Sequence, residues 1–183
     1  MNEKGFGSTA SKGYLFKVVV CGDAKVGKTS LILQYTEHAF TGRYIQTIGS
    51  NFASAEVVLP EGRPVKFQLW DLGGQKRFYF AWPSFYAGAF AGILVYDMTR
   101  PETLQSLRTW QERIEQYAGS DRLYFVFGNK CDLEGERAVS PAEGESVARE
   151  LGARGFWETS AKTGEHLPEA FRAIAGELVQ AYE

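Results

Sequence analysis

An α/β fold, with a mostly parallel six-stranded sheet flanked by helices on both faces, follows from three features of the sequence. Apolar, β-rich runs alternate with stretches of helical apolar spacing, the pattern of strand-helix-strand units. A glycine-bracketed loop, Gly22-Asp23-Ala24-Lys25-Val26-Gly27-Lys28-Thr29, joins the first of these runs to the first helical stretch. One pair of runs is linked only by Pro60-Glu61-Gly62-Arg63, and so short a turn joins antiparallel neighbours. In a sheet of this kind ligands gather at the carboxyl ends of the strands.

The bulk numbers narrow the field. A chain of 183 residues suits one domain with a sizeable core. Its formal charge of −2 argues against a basic nucleic-acid or membrane-surface binder. Cys21 and Cys131 are too few for a disulfide framework or a metal site, so a reducing compartment is expected and both thiols read as structural. No run approaches the ~18 apolar residues of a membrane span, and the N-terminus has no signal-peptide core. A cytoplasmic protein is expected.

Residues 1–12 are small, polar and glycine-rich and read as a disordered lead, leaving 13–183 as the domain. Tyr14 to Cys21 reads as a buried strand, and Leu31, Ile32 and Tyr35 recur at helical spacing after the glycine loop. Glu37 to Gly49 is a loop; Phe52 to Leu59 and Pro64 to Trp70 form the hairpin; Asp71 to Phe80 is a second glycine-containing loop. Ala91 to Tyr96 is a continuous apolar run of the kind covered on both faces. Pro101 opens a helix that Leu104, Leu107 and Ile114 carry to about Tyr117, and Leu123 to Phe127 is the next buried strand. Ser140-Pro141-Ala142-Glu143 reads as a capping box with proline at the first helical position. Phe156 and Trp157 mark a last strand before a helix from about Leu167 to Tyr182.

The glycine loop has the pattern G-x-x-x-x-G-K-[ST]. Backbone N–H groups from Asp23, Ala24, Lys25, Val26 and Gly27 through Lys28, Thr29 and Ser30 can wrap a polyphosphate. Lys28 supplies a charge to the outer phosphates, Thr29 can ligate magnesium, and the helix that follows aims its positive end at the same anion. Other strand ends carry groups that match. Asp71, in Trp70-Asp71-Leu72-Gly73-Gly74-Gln75, can hold the water of a magnesium ion, the Gly74 N–H can approach a terminal phosphate, and Gln75 can orient an attacking water. Asp132, in Asn129-Lys130-Cys131-Asp132, can accept two hydrogen bonds from the guanine edge that adenine cannot offer. In Glu158-Thr159-Ser160-Ala161-Lys162 small residues let backbone N–H groups meet the base oxygen.

Taken together, GDAKVGKT, TIG, WDLGGQ, NKCD and ETSAK, in this order and near these separations, resemble the five guanine-nucleotide motifs of the Ras-superfamily small GTPases. The resemblance runs from about Leu15 to Tyr182. IGSNF, KFQLWD, RFYFAWPSFYAGA and ILVYDMT are most similar to the Rab branch, while the double glycine of WDLGGQ is also similar to Arf-type proteins. The resemblance implies a P-loop NTPase (G) domain, GTP and GDP as bound nucleotides, Mg2+ as cofactor, and a slow GTPase reaction that switches partner binding. Thr47 would join Thr29 and Asp71 at the magnesium, Phe40 would stack on guanine, Tyr44 would close over the phosphates, Lys130 would flank the base and Asn129 would tie the base loop to the phosphate loop. Phe52, Trp70 and Phe85 would form an aromatic surface for effectors. Exchange factors and GTPase-activating factors are the other implied partners, and a monomer is implied.

Three departures from the family pattern stand out. Ala24 carries a methyl where Ras proteins have glycine, and it can crowd Gln75 or an incoming arginine. Lys76 reverses the usual acidic charge after the glutamine. No cysteine stands at the C-terminus and no glycine follows Met1, so no direct lipid anchor is expected and membrane association would come through a partner, unless the chain is truncated. A GTP-binding scaffold with negligible hydrolysis is the alternative to the enzyme. A small-molecule kinase is disfavoured by NKCD and ETSAK. His38, His166 and Arg43 read as loop or cap residues rather than catalysts.

Overall fold

The structure, a computed structural model, describes residues 13–38, 50–72 and 81–183. Six strands form one sheet in the order β2-β3-β1-β4-β5-β6. The first of them in sequence, β1 (Tyr14–Cys21), lies centrally, parallel to β3 (Pro64–Leu72) on one side and to β4 (Ala91–Asp97) on the other. β5 (Leu123–Asn129) and β6 (Gly155–Thr159) extend the parallel array, while β2 (Ser50–Val58) pairs antiparallel to β3 as the hairpin turn requires. Because the chain leaves β1 for neighbours on opposite sides, a crevice opens at its carboxyl end, where the glycine loop begins.

Successive side chains of a strand point to opposite faces, and the sheet divides its core accordingly. Val18, Val20, Phe67, Leu69, Phe125 and Phe127 pack under α1 (Lys28–Glu37) and α6 (Leu167–Tyr182), which contribute Leu31, Ile32, Phe171, Ile174 and Leu178. Tyr35 stacks on Phe171 with ring centroids 3.8 Å apart. On the opposite face Val19, Cys21, Leu94, Tyr96 and Val126 meet α2 (Trp82–Tyr86), α4 (Leu107–Ala118) and α5 (Pro141–Glu150) through Trp82, Tyr86, Trp110, Ile114 and Ala148. Every residue of β4 is buried, as its unbroken apolar run predicts. The capping box of α5 is complete: Ser140 N–H donates to Glu143 at 2.8 Å and Glu143 N–H to the Ser140 hydroxyl at 3.3 Å.

Three features differ from the sequence expectation. The helix expected over 101–117 is two, α3 (Pro101–Gln105) and α4, separated at Ser106. There the serine hydroxyl lies 2.7 Å from the Asp23 carboxylate, to which it donates, and 3.1 Å from the Thr103 carbonyl, its alternative acceptor, so that side-chain bonding competes with the helical ladder. α2 and a 3-10 turn at Glu134–Glu136 are too short to leave a periodic signal. The hairpin strand β3 and strand β5 each run two residues further than their apolar runs, so that Asp71 and Asn129 belong to strands.

Candidate functional site

The strand ends meet in register: Val20 lies beside Asp71, Cys21 beside Leu94, Asp97 beside Asn129, and Asn129 beside Thr159. From this edge the glycine loop turns into α1. Gly22 has φ 151° and Gly27 φ 101°. A Cβ at Gly22 would strike the Val95 carbonyl, and one at Gly27 the Asn129 amide. Both glycines are therefore required by close approach as well as by conformation. Lys25 adopts φ 67°, giving the loop the mixed left- and right-handed backbone from which anion-binding concavities are made.

Lys28 opens α1 and is 7% exposed. Its ammonium donates to the Gly22 carbonyl at 2.8 Å and to the Asp23 carbonyl at 2.9 Å. Burial lowers its pKa, with the nearby Asp71 carboxylate acting in the opposite sense. Beside it the Thr29 hydroxyl donates to the Asp71 carboxylate, a group only 1% exposed. A buried ammonium and the side-chain oxygens of Thr29 and Asp71 thus lie together at the start of α1.

Asn129 is the joint of the second half of the site. Its amide nitrogen donates to the Val26 carbonyl at 2.8 Å, while its oxygen accepts from the Ala161 N–H at 3.1 Å and the Thr159 hydroxyl at 3.3 Å. One 1%-exposed side chain ties the glycine loop to the loops after β5 and β6. Asp132 accepts from the Ser160 hydroxyl at 2.6 Å, and that oxygen accepts in turn from the N–H groups of Lys162 and Thr163 at 3.1 and 3.0 Å. Arg137 pairs with Glu158 at 2.5 Å, and His166, at the N-cap position of α6, makes no side-chain bond to that helix but sets Nδ1 2.6 Å from the Glu158 carbonyl oxygen.

The Ras family model matches residues 17–180. The chain is 40% identical over 171 residues to "GTP-binding protein ypt2" of Schizosaccharomyces pombe, covering 93% of this chain and 84% of that protein. It is 39% identical over 166 residues to "Ras-related protein Rab-8B" of Homo sapiens, covering 91% and 79%. The chain belongs to the Ras family.

Within the family its relatives place it on the Rab branch, as a small GTP-binding GTPase. Several residues of this Rab-like GTPase take positions that sequence alone did not reveal. The Asp23 carboxylate, inside the phosphate-loop motif, turns away from Lys28 to accept from the Trp110 indole at 2.8 Å and from Ser106 at 2.7 Å, so that only its backbone faces the loop. Asp97, 1% exposed at the end of β4, pairs with Lys130 at 2.5 Å and accepts from Arg100 Nε at 3.2 Å. Its second oxygen accepts from the Thr99 N–H at 2.9 Å and hydroxyl at 2.7 Å. Burial pushes the Asp97 carboxyl up, but the bonds from Lys130 and Thr99 outweigh it and hold the pKa below its ordinary value. A carboxylate closing an all-apolar strand run was the available signal for this hub.

Phe52, Trp70 and Phe85 form a continuous aromatic patch, with centroids 5.6 and 6.1 Å apart and Phe52 55% exposed. Lys17 lies over the Trp70 ring at 4.4 Å. Burial pushes both the Cys21 and Cys131 thiols up to about 12, in keeping with structural roles. Phe40, Arg43, Tyr44, Thr47, Gly74, Gln75 and Lys76 lie outside the described residues. Among the described residues no group of three or more His, Cys, Asp or Glu could hold a metal, and no helix is long and apolar enough to cross a membrane.

Proposed function

We propose that this GTPase binds GTP and GDP with magnesium in the crevice at the strand ends, hydrolyses GTP slowly, and changes its partner surface with the bound state. The observation that carries the reading is the Asn129 joint, which holds the Val26 segment of the phosphate loop and the Ala161 segment of the base loop to one side chain. Asp132 would accept from the guanine N1–H and 2-amino groups, with Lys130 and Phe40 flanking the ring and the Ser160 to Lys162 backbone meeting the base oxygen. Tyr44 would close over the phosphates.

Lys28 supplies a buried cation to the outer phosphates, and the loop N–H groups from Asp23 to Ser30 surround them. Thr29 and Asp71, neighbouring oxygen donors, fit a hard divalent cation and would hold magnesium with Thr47; bound there, magnesium supplies charge neutralisation between two phosphates. Gln75 would orient a water in line with the terminal phosphorus, whose bond to the bridging oxygen breaks as the bond to water forms, and the Gly74 N–H would steady the transferred group. With no arginine placed on that group among the described residues, turnover is expected at about 10⁻⁴ to 10⁻² per second, the range for Ras-type sites without an activating partner. Effectors would meet Phe52, Trp70 and Phe85; exchange and activating factors would act on the neighbouring loops. The protein is read as cytoplasmic and monomeric.

The test is single-turnover phosphate release by wild type and Gln75→Leu, with ATP as a competitor of GDP. Slower release by the variant at unchanged GTP affinity, and no competition by ATP below roughly a 10⁴-fold excess, are expected. Equal rates would favour a GTP-binding scaffold, a reading to which the exposed methyl of Ala24 on the loop rim lends weight.

A further inference from the structure

The phosphate loop is held from outside at two carbonyls. Asn129 donates to Val26 O, and Arg100 Nη2 donates to Ala24 O at 2.9 Å. A trans peptide is planar with its C=O and N–H antiparallel, and the described residues contain no cis bond. Drawing the Ala24 carbonyl outward therefore turns the N–H of Lys25 into the loop, as drawing out Val26 turns that of Gly27. Both receiving residues have left-handed φ, 67° at Lys25 and 101° at Gly27. For lysine that conformation is unfavourable and needs surroundings that enforce it.

Arg100 is suited to enforce it because it is itself oriented. Its Nε bonds Asp97 Oδ2 at 3.2 Å, and the same carboxylate oxygen pairs with Lys130 Nζ at 2.5 Å. One buried carboxylate thus seats two cations, of which one belongs to the loop expected to flank the base and the other reaches the loop expected to hold phosphate. The guanidinium's rigid fork lets Nε and Nη2 serve Asp97 and Ala24 at once, which a single ammonium does less well.

We propose that Arg100 is a positioning residue for the outer phosphates of the nucleotide, acting through the Ala24–Lys25 peptide. The inference rests on the guanine-nucleotide reading above. In the full chain, Arg100→Met removes the donors and keeps the stem; Arg100→Ala serves if that variant does not fold. Release of fluorescent GDP should accelerate roughly tenfold, the effect of one charge-assisted hydrogen bond. GMP, which lacks outer phosphates, should compete within twofold of its wild-type strength, and Arg100→Lys should restore part of the GDP effect. Lys130→Met, by contrast, should weaken GDP and GMP alike. An equal loss for GMP and GDP in the Arg100 variant, or GDP release within twofold of wild type, would overturn the proposal. Failure of wild type to bind GDP would overturn the nucleotide reading itself.

Discussion

Asn129→Ala removes the side chain that joins three loops. Its 1%-exposed amide makes hydrogen bonds to Val26 O, Ala161 N and Thr159 Oγ1. The threonine hydroxyl can rotate to another partner, but the Val26 carbonyl and the Ala161 N–H are left buried and unsatisfied. At about 1–3 kcal/mol for each stranded group, and allowing for partial entry of water, the loss is about 2–4 kcal/mol. For a domain of this size that lowers the thermal midpoint by roughly 5–15 °C. The measurement is thermal unfolding at several GDP concentrations extrapolated to none, so that any change in nucleotide affinity is separated from the loss of the internal hydrogen bonds. Asn129→Asp separates donor from acceptor: it preserves volume and the acceptor for Ala161, yet sets a carboxylate oxygen against the Val26 carbonyl. It should be at least as damaging as alanine. A midpoint within 2 °C of wild type for alanine, or a tolerated aspartate, would refute the claim that the donated bond to Val26 holds the site together.

Gly27→Ala meets both a φ of 101° and the Asn129 amide, so GDP affinity should drop by more than about 100-fold, read by titration; an affinity within tenfold of wild type would show that the loop can shift freely. Tyr96→Phe should leave stability unchanged or raise it by about 1 kcal/mol in chemical denaturation, because the buried hydroxyl has no hydrogen-bond partner among the described residues. A loss above about 1 kcal/mol would reveal a partner such as an internal water. Asp97 has a folded-state pKa below its ordinary 3.8, so its contribution is fully present above that value and disappears as pH falls through the lower folded one. The stability gap between wild type and Asp97→Asn should accordingly be constant from about pH 5 to 8 and shrink below about pH 4; a gap that persists in acid would rule out the ionised carboxylate as its source.

What the sequence determined by itself about this GTPase is whatever depends on neighbours in the chain. The apolar runs of β1 and β4, the spacing of Leu31 and Ile32, the capping box at Ser140 and the glycines bracketing the phosphate loop are local, and each has its expected form in the structure. Strand ends were harder to read, since Asp71 and Asn129 are polar residues carried into strands by the pairing of their neighbours. Tertiary structure alone decided which groups face one another. Asp23 stands in a phosphate-loop motif, yet its carboxylate belongs to Trp110, 87 residues further on, and Arg100 reaches back 76 residues to the Ala24 carbonyl. Nothing local distinguishes a carboxylate that faces a ligand from one that anchors a helix. The difference arises because parallel pairing of β1 with β4 brings the end of β4, and the broken helix that follows it, behind the loop after β1, where a buried charge is tolerable only if it finds a partner.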